Sequence, residues 1–545
     1  MKSCTCKIGV LIIAVTFIVL SSAGLSFSAG GSNSYSYHHK AGTNPVDGMS
    51  EVPLGTLDDL AEFETNLPIV VMDVGGAEFI KPTQWDSEKG YRVATRYDPY
   101  NDGRLQIINN KNSANRLTDS PEVTTGIRVR IRGFSSLEYP KHQYQIKTIK
   151  ENGAKNELDI LELGSEWEWI LNISYIDKSL LRNYLAYNTA YEIMGYAPKV
   201  RFCEVFLKDK DVYSYQGLYL FVDNVKQGVN RVNIAKYDPS FTESAYILRR
   251  DRYDENAVIL DTYGSQNDLA KNFLTVRYPE PDEITDETIA YIEKDISAFE
   301  QALFSEDVNT FLTYRDYIDM QSFIDFFIIN EFFANYDANL HSIFMYKNVG
   351  GKLTMGPVWD FDGSIDNGYP YKLKADSTAM HDGVWFDQML KDGEFVKSLI
   401  ERYGELRKGI LSDEHLDKMI DEARAFIAPA QVRDWNKWDY NAVYDSQFTE
   451  IVRHELQPLL ANRWEYDEVI ENMKHTLHEH GGWMDERLDS LYQFSIIEPG
   501  EDSITAVNTV MIFALGEDRQ NWTLKAAAVL LVVVIIFSIV LVQRE

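Results

Sequence analysis

The sequence predicts an α+β protein that ends in a single C-terminal transmembrane helix. Segments with the period-two alternation of strands dominate up to about residue 222, and segments with helical spacing dominate after it. An uncharged apolar run at residues 526–542 has about the minimum length that spans the hydrocarbon core of a bilayer. These observations together predict a folded body, built first from strands and then from helices, attached to a membrane.

Composition places the chain among globular proteins and limits its partners. Of 545 residues, 45% are hydrophobic and 25% are charged, which is typical of folded domains. Lys and Arg total 53 against 83 Asp and Glu, a formal net charge of −30. A field this negative repels phosphate backbones, so nucleic acid is not an expected partner. A basic protein segment is the expected kind of partner instead. With three Cys, no disulfide framework is expected.

Both ends of the chain carry membrane-related patterns. Residues 1–30 combine early lysines, an apolar stretch and small residues, which predicts a signal peptide or an N-terminal anchor. Residues 31–66 are rich in Ser, Gly, Asn and Asp and predict a flexible linker. Residues 500–525 predict a juxtamembrane stalk before the transmembrane helix at 526–542. The prediction is therefore a single-pass protein of the cell membrane, with the bulk of the chain outside the cytoplasm.

Strand signals concentrate between residues 67 and 222. Residues 127–132 alternate apolar and cationic side chains (IRVRIR), so this strand has one apolar and one positively charged face. After a loop, residues 141–147 carry further cations. Other strands are predicted for residues 68–72, 143–148, 201–207, 216–222 and 246–250.

Helical spacing prevails in residues 223–436 and continues into a helical extension at residues 437–499. Apolar residues recur there every three or four positions, the pattern of a helix with one buried face. Helices are predicted for residues 177–193, 283–303 and 317–334. Strands followed by helices are typical of an α+β arrangement.

The most informative stretch contains a predicted hairpin. Residues 342–348 and 353–359 form two strand candidates, joined by a short turn with two glycines. A hairpin brings its two ends together. Asp337 lies before the first strand, and Asp360 and Asp362 follow the second. We therefore expect these carboxylates to lie side by side.

Clustered carboxylates of this kind suit phosphoryl transfer. One carboxylate orients or deprotonates the attacking hydroxyl, and others hold Mg²⁺, a hard cation that takes oxygen ligands. The cationic strand at 127–132 and the segment 141–147 can offset phosphate charge. The order of these elements along the chain matches the order of parts in a protein kinase. It runs from cationic strands through a helix, further strands, an acidic loop and a hairpin to D-F-D-G.

Other interpretations of the acidic stretch remain open at this point. W-D-F-D-G can form an Asx turn or a helix cap without any catalytic role. Paired carboxylates also serve glycoside hydrolysis, although no motif points there. The sequence lacks G-x-x-x-x-G-K-[ST], G-x-G-x-x-G, G-x-S-x-G and H-E-x-x-H, so P-loop, Rossmann, serine-hydrolase and zincin functions lose their main support.

Five ordered blocks lie within residues 67–436. They are Arg132–Ser136 with Tyr139–Lys141 and Tyr144–Lys147, Asp177–Asn183 (DKSLLRN), Gly217–Val222, Asn335–Asp337 through Tyr346–Lys347, and Val358–Asp362. Together these blocks resemble the CotH (spore coat protein H) kinase family. The resemblance implies an atypical protein-kinase-like two-lobed fold, with a strand-rich N-lobe at about 67–222 and a helical C-lobe at about 223–436. It also implies transfer of the ATP γ-phosphate to Ser or Thr of coat or envelope proteins.

The resemblance also implies roles for single residues. Asp337 corresponds to the catalytic-loop aspartate, and Asp360 to the metal-binding aspartate, with Asp362 as a second ligand. Lys147 sits in a hydrophobic-Lys strand pattern and is expected to bind the nucleotide phosphates, with Lys141 and Arg132 as further candidates. The implied cofactors are ATP and Mg²⁺ or Mn²⁺.

Two positions depart from the family pattern. The family has Asn five residues after the catalytic Asp, where this chain has Ser342, with Asn339 close by; both are candidate metal ligands. Phe134 replaces the Asn of the R-G-N-S-S block. Because a hydroxyl is a poorer neutral Mg²⁺ ligand than an amide carbonyl, a catalytically inactive kinase-like scaffold of the spore coat or envelope is the alternative function. The acidic partner of Lys147 and the oligomeric state are not assigned.

Overall fold

The computed structural model describes residues 46, 48–95, 98–365, 367, 376–438 and 465–500. The strands are β1 (Ile69–Asp73), β2 (Thr83–Asp86), β3 (Tyr91–Ala94), β4 (Asn101–Ile108), β5 (Val123–Arg132), β6 (Gln143–Ile149), β7 (Leu158–Asp159), β8 (Ser165–Glu166), β9 (Glu168–Asn172), β10 (Val200–Asp209), β11 (Val212–Asp223), β12 (Tyr246–Asp251), β13 (Phe273–Tyr278), β14 (Ile343–Lys347) and β15 (Thr354–Met355).

Helices follow the strand-rich part and dominate the second half. The α-helices are α1 (Arg182–Ile193), α2 (Tyr263–Gln266), α3 (Asp286–Leu303), α4 (Val308–Leu312), α5 (Tyr314–Tyr317), α6 (Met320–Phe332), α7 (Phe386–Met389), α8 (Gly393–Arg407), α9 (Asp413–Trp438) and α10 (Tyr466–Arg487). Short 3₁₀ helices cover Ser135–Glu138, Tyr336–Asn339 and Leu488–Phe494.

Within the described residues, seven strands form a closed barrel in the order β1-β10-β11-β9-β6-β5-β4. Strand β1 closes the barrel, because it pairs antiparallel with β4 and parallel with β10. The alternation along β5 buries Ile127, Val129 and Ile131 in the core. Its arginines therefore lie on the opposite face of the strand, as the sequence predicts.

The second half is built on a smaller sheet in the order β13-β12-β14-β15, with helices packed around it. Strands β14 and β15 form the predicted hairpin, in which Met345 pairs with Met355 and Tyr346 with Thr354. One hydrophobic core continues from the barrel through α1 and α6 into this sheet. The junction of the two parts is therefore packed, and side chains at the junction have defined positions.

The predicted two-lobed, atypical protein-kinase-like fold with a transmembrane helix is wrong. Helices and strands are both present, but the strand-rich part closes into a barrel and does not form the open sheet of an N-lobe. Closure depends on the pairing of β1 with β10, far along the chain. Period-two alternation is a local property that predicts strands, and it carries no information on which distant strands become partners.

The membrane prediction is corrected as well. Among the described residues, no helix combines the length and the apolar composition that crossing a bilayer requires. The prediction of a single-pass membrane protein is thus wrong for the part of the chain that the structure describes. Residues 1–30, all of the stalk 500–525 except Gly500, and the apolar run 526–542 lie outside the described residues.

Part of the segment predicted as a linker, residues 31–66, packs against the barrel. Leu60 and Phe63 are buried, and the ring of Phe63 makes an edge contact with that of Phe206, with 5.1 Å between centroids. Gly55 also pairs with Tyr213 on β11. Residues before β1 therefore contribute to a second, smaller hydrophobic cluster of the protein.

Candidate active site

Three aspartates come together where the barrel meets the second sheet. Asp337 lies in the 3₁₀ helix Tyr336–Asn339, and Asp360 and Asp362 follow β15. Burial and then the negative charge of Asp337 raise the pKa of Asp360. Burial and then the charge of Asp360 raise the pKa of Asp362 well above its ordinary value. The hairpin thus brings the two acidic segments close enough for their charges to interact strongly.

The backbone around Asp360 is held at several points. Asp360 has a φ of 68°, in the left-handed region that non-glycine residues rarely adopt. Its N–H donates to the hydroxyl of Tyr187 over 3.1 Å, and the N–H of Phe361 donates to Asn183 Oδ1 over 2.8 Å. The hydroxyl of Ser342 donates to Asp360 Oδ2 over 3.1 Å. Both the backbone and the carboxylate of Asp360 are consequently fixed.

The D-K-S-L-L-R-N block explains how the segment after Asp362 is anchored. The Asp177 carboxylate accepts the N–H groups of Ser179 and Arg182, which caps the start of α1. The Arg182 guanidinium then donates to the carbonyls of Ser364 and Ile365 over 2.9 and 3.0 Å. Helix α1 therefore contacts the D-F-D-G segment at its beginning and just beyond its end.

Asp337 is flanked by charges from the end of β12. Arg252 Nη2 lies 3.8 Å from Asp337 Oδ1. Burial raises the pKa of Asp337, while the positive charge of Arg252 opposes this shift and Asp251 adds to it. The guanidinium of Arg252 also lies over the Phe134 ring, 5.0 Å from its centroid. Burial and the Arg252 charge lower the pKa of the neighbouring His341 to about 4, so His341 is neutral at pH 7.

Arg132, the last residue of β5, interacts with the charge of Asp360. Arg132 Nη1 donates to Gln143 Oε1 over 2.9 Å, and its guanidinium lies 5.8 Å from the ring centroid of Trp359. Burial lowers the pKa of Arg132 to about 10, and the charge of Asp360 is the largest influence that opposes this shift. Arg132 is thus the barrel residue that couples electrostatically to the acidic cluster.

Lys147 lies on the same face of the barrel and has a defined acidic partner. Its Nζ is 3.5 Å from Glu168 Oε1, and Lys226 lies 3.4 Å from the same oxygen. Burial alone would raise the pKa of Glu168, but Lys226 and Lys147 keep it lowered, so Glu168 is ionised. Lys147 Nζ also lies 5.2 and 5.1 Å from the ring centroids of Tyr100 and Trp167, which further stabilises its charge.

Two of the predicted site residues have other partners. Lys141 is fully buried and donates to Asp434 Oδ1 over 2.6 Å and to the Leu218 carbonyl over 2.8 Å, which ties α9 to the barrel. Asn339 donates to Asp382 Oδ1 over 2.6 Å. The structure therefore groups Asp337, Asp360, Asp362, Ser342 and Arg132, with Lys147 on the same barrel face, and places Lys141 in a structural ion pair.

The donor set at the hairpin fits a hard divalent cation. Asp360, Asp362 and Ser342 offer only oxygen atoms, and Mg²⁺ is commonly held by one or two carboxylates, with waters and phosphate oxygens completing its shell. Among the described residues, no group of three or more His, Cys, Asp or Glu is arranged to hold an ion by itself. Burial first and then the charges of neighbouring carboxylates raise the pKa values of Asp360 and Asp362, and Arg132 only partly offsets this for Asp360.

No role was predicted from the sequence for four residues of the site, which are Glu168, Asn183, Tyr187 and Arg252. Glu168 sits in the alternating S-E-W-E-W at 165–169, which is a strand signal. Asn183 and Tyr187 are four residues apart in the predicted helix and so share one face, but nothing in the sequence shows what that face contacts. Arg252 follows a strand directly, and no local pattern marks it as a neighbour of Asp337.

Comparison with known proteins agrees with the blocks found in the sequence. A family model described as CotH kinase protein matches residues 129–484. This range runs from β5 to α10 and includes every residue of the acidic cluster and its cationic neighbours. No curated protein matches the chain. Since the family model covers most of the chain, the protein belongs to the CotH kinase family.

Proposed function

We propose that this protein is an ATP-dependent kinase that transfers the γ-phosphate to a Ser or Thr hydroxyl of another protein. The observation that carries the proposal is the meeting of Asp337, Asp360 and Asp362 at one junction, opposite Arg132 on the cationic face of β5. Phosphoryl transfer depends mainly on positioning and on charge stabilisation, and this junction contains both the acidic and the cationic groups for it.

The proposed roles follow from the placement of each group. Asp360 and Asp362, with Ser342, would hold Mg²⁺ or Mn²⁺, which neutralises phosphate charge when bound. Asp337 is separate from this pair along the chain and would orient the acceptor hydroxyl or take its proton.

The cationic groups would hold the nucleotide. Lys147 is fixed by Glu168 and would bind the ATP phosphates together with Arg132. The net charge of −30 favours an acceptor hydroxyl within a basic protein segment. Coat or envelope proteins are the proposed substrate class, by analogy with the family name.

Phosphate transfer by purified protein tests this proposal. Wild type, Asp337→Asn and Asp360→Asn are incubated with Mg²⁺ or Mn²⁺, labelled ATP and a basic Ser-containing polypeptide. Asp58→Asn is the matched control, because Asp58 is exposed. We expect Asp337→Asn to lose about 10²–10⁴-fold in rate, the typical contribution of a positioned acid or base. Asp360→Asn should lose transfer because a metal ligand is removed, and the control should equal wild type. Equal labelling by wild type and Asp360→Asn would refute the proposal.

A kinase-like scaffold without transfer activity is the second candidate, and Ser342 is the observation that favours it. Its hydroxyl stands where the family carries an amide and is hydrogen-bonded to Asp360 Oδ2. A scaffold of this kind would bind ATP with the metal but release no labelled product. Binding without turnover in the same experiment would therefore favour the scaffold over the kinase.

A further inference from the structure

Tyr187 contacts three consecutive residues, Trp359, Asp360 and Phe361, at the start of the D-F-D-G segment. Its ring stacks on Trp359 with centroids 5.7 Å apart and meets the Phe361 ring edge-on at 6.1 Å. Between these two contacts, its hydroxyl accepts the N–H of Asp360 over 3.1 Å. Tyr187 is only 1% exposed, so this contact is enclosed by protein.

The Asp360 backbone needs such support. Asp360 has a φ of 68°, in the left-handed region that crowds Cβ against the neighbouring carbonyl and that Asp tolerates better than most non-glycine residues. Strain of this kind persists where surrounding contacts over-determine the conformation. Here the Tyr187 hydroxyl takes the Asp360 N–H, and Asn183, one helical turn earlier on α1, takes the next N–H along the chain.

The conformation of Asp360 decides where its carboxylate points. In this structure the carboxylate receives the Ser342 hydroxyl and interacts with the charge of Arg132. A relaxed backbone at Asp360 would rotate the Cα–Cβ bond and move the carboxylate away from both. Groups that orient metal ligands without contacting the metal commonly affect metal affinity.

We propose that Tyr187 is a positioning residue for the metal site, because its hydroxyl holds Asp360 in the left-handed conformation that directs the carboxylate to Ser342. The inference rests on the proposed function, in which Asp360 is a metal ligand. It adds a requirement that the proposed function does not contain. Removal of the Tyr187 hydroxyl oxygen, which is not a metal ligand, should weaken metal binding.

Tyr187→Phe isolates that oxygen atom. It keeps the ring that packs between Trp359 and Phe361 and leaves the Asp360 N–H without its acceptor. Tyr219→Phe is the matched control, since Tyr219 is also a buried tyrosine and its hydroxyl donates to the His142 carbonyl over 3.0 Å. Both variants lose one buried hydrogen bond, so a purely structural effect lowers the melting temperature of each by a similar amount.

The measurement is the dissociation constant of Mn²⁺, followed by electron paramagnetic resonance with and without ATP on the full chain. We expect Tyr187→Phe to bind Mn²⁺ about 10-fold more weakly, within the range for groups that orient ligands, and Tyr219→Phe to match wild type. In kinase assays the same variant should need more metal for half-maximal rate and recover its rate at saturating metal.

The possible failures are distinguishable. Mn²⁺ binding by wild type, with Tyr187→Phe equal to it or with both variants weakened equally, would overturn the positioning role. Wild-type Mn²⁺ binding that Tyr187→Phe alone weakens, without any phosphate transfer by wild type, would overturn the proposed function and support the positioning role. If wild type binds no Mn²⁺, both are overturned.

Discussion

Glu168 gives Lys147 a fixed position at the candidate site. The two residues are direct register partners on β6 and β9, so their side chains lie side by side on the same face of the barrel. Lys226 shares the Glu168 carboxylate, and both lysines also interact with the charge of Glu280. Lys147 therefore does not carry an unpaired charge in the protein.

At Ser342, we predict that substitution by asparagine strengthens metal binding. Ser342 has a φ of 55°, and asparagine adopts this region more readily than serine, so Ser342→Asn should not disturb the backbone. The amide carbonyl is a better neutral ligand than the hydroxyl. We expect the Mn²⁺ dissociation constant to fall about tenfold, equal to about 1.4 kcal/mol.

Ser342→Ala provides the opposite change at the same position. It removes the hydrogen bond to Asp360 and should weaken Mn²⁺ binding. Calorimetric titration of the two variants and wild type orders the three affinities. Weaker binding by Ser342→Asn than by wild type would show that the side chain at 342 is not directed at the ion.

Among the helices, α1 has the largest influence on the site. The sequence predicts a helix at 177–193, and the observed helix begins at Arg182 because residues 177–181 form its cap around the Asp177 carboxylate. Arg182, Asn183 and Tyr187 then reach the D-F-D-G segment and the residues after it. Side chains of α1 and its start thereby fix the geometry of the segment that contains Asp360 and Asp362.

Lys141 forms a buried ion pair with Asp434 on helix α9, and this pair allows the role of Lys141 to be tested. We predict that Lys141→Met lowers the free energy of unfolding by about 3–5 kcal/mol, because it leaves the buried Asp434 without its cation. It should leave the ATP dissociation constant unchanged. Denaturant unfolding and a nucleotide-binding titration measure the two quantities. Lys418→Met, at an exposed position of the same helix, is the control and should alter neither. Loss of ATP binding with unchanged stability would instead make Lys141 a phosphate ligand.

On the scale of the whole molecule, the loop after β5 and the small β2-β3 sheet contact the second part of the molecule near Asp337. The Phe134 ring lies against Arg252, and the Tyr91 ring meets that of Tyr253 with centroids 4.6 Å apart. The Ala94 N–H donates to Glu255 Oε1 over 2.8 Å. The loop that positions Arg252 against Asp337 is therefore held from both parts of the molecule.

These contacts predict an effect of substituting Phe134. Phe134→Asn removes the ring beneath Arg252, a contact worth about 0.5–1 kcal/mol when exposed, and should lower the transfer rate about two- to fivefold. Hydrogen exchange should rise in residues 83–94 and 252–256. Phe241→Asn, at a phenylalanine that is 63% exposed, is the control. Unchanged exchange and rate in Phe134→Asn would show that these contacts do not affect Asp337.

Much of the local structure could be predicted from the sequence. The strands at 127–132 and 143–148 lie within β5 and β6, and the hairpin that brings Asp337 toward Asp360 is present. These features arise from periodicity and turn residues over a few positions, which a single sequence displays. The Glu168 partner and the burial of Lys141 could not be predicted, because both depend on strands and helices that are distant along the chain.

By itself, the sequence determined the strand and helix segments, the acidic hairpin and the family to which the chain belongs. Only the tertiary structure decided that the first part closes into a barrel, that Lys147 pairs with Glu168, and that Lys141 forms a buried ion pair with Asp434. The physical reason is that hydrophobic periodicity acts within one segment. Strand partners and buried ion pairs are chosen by register and packing among many segments at once.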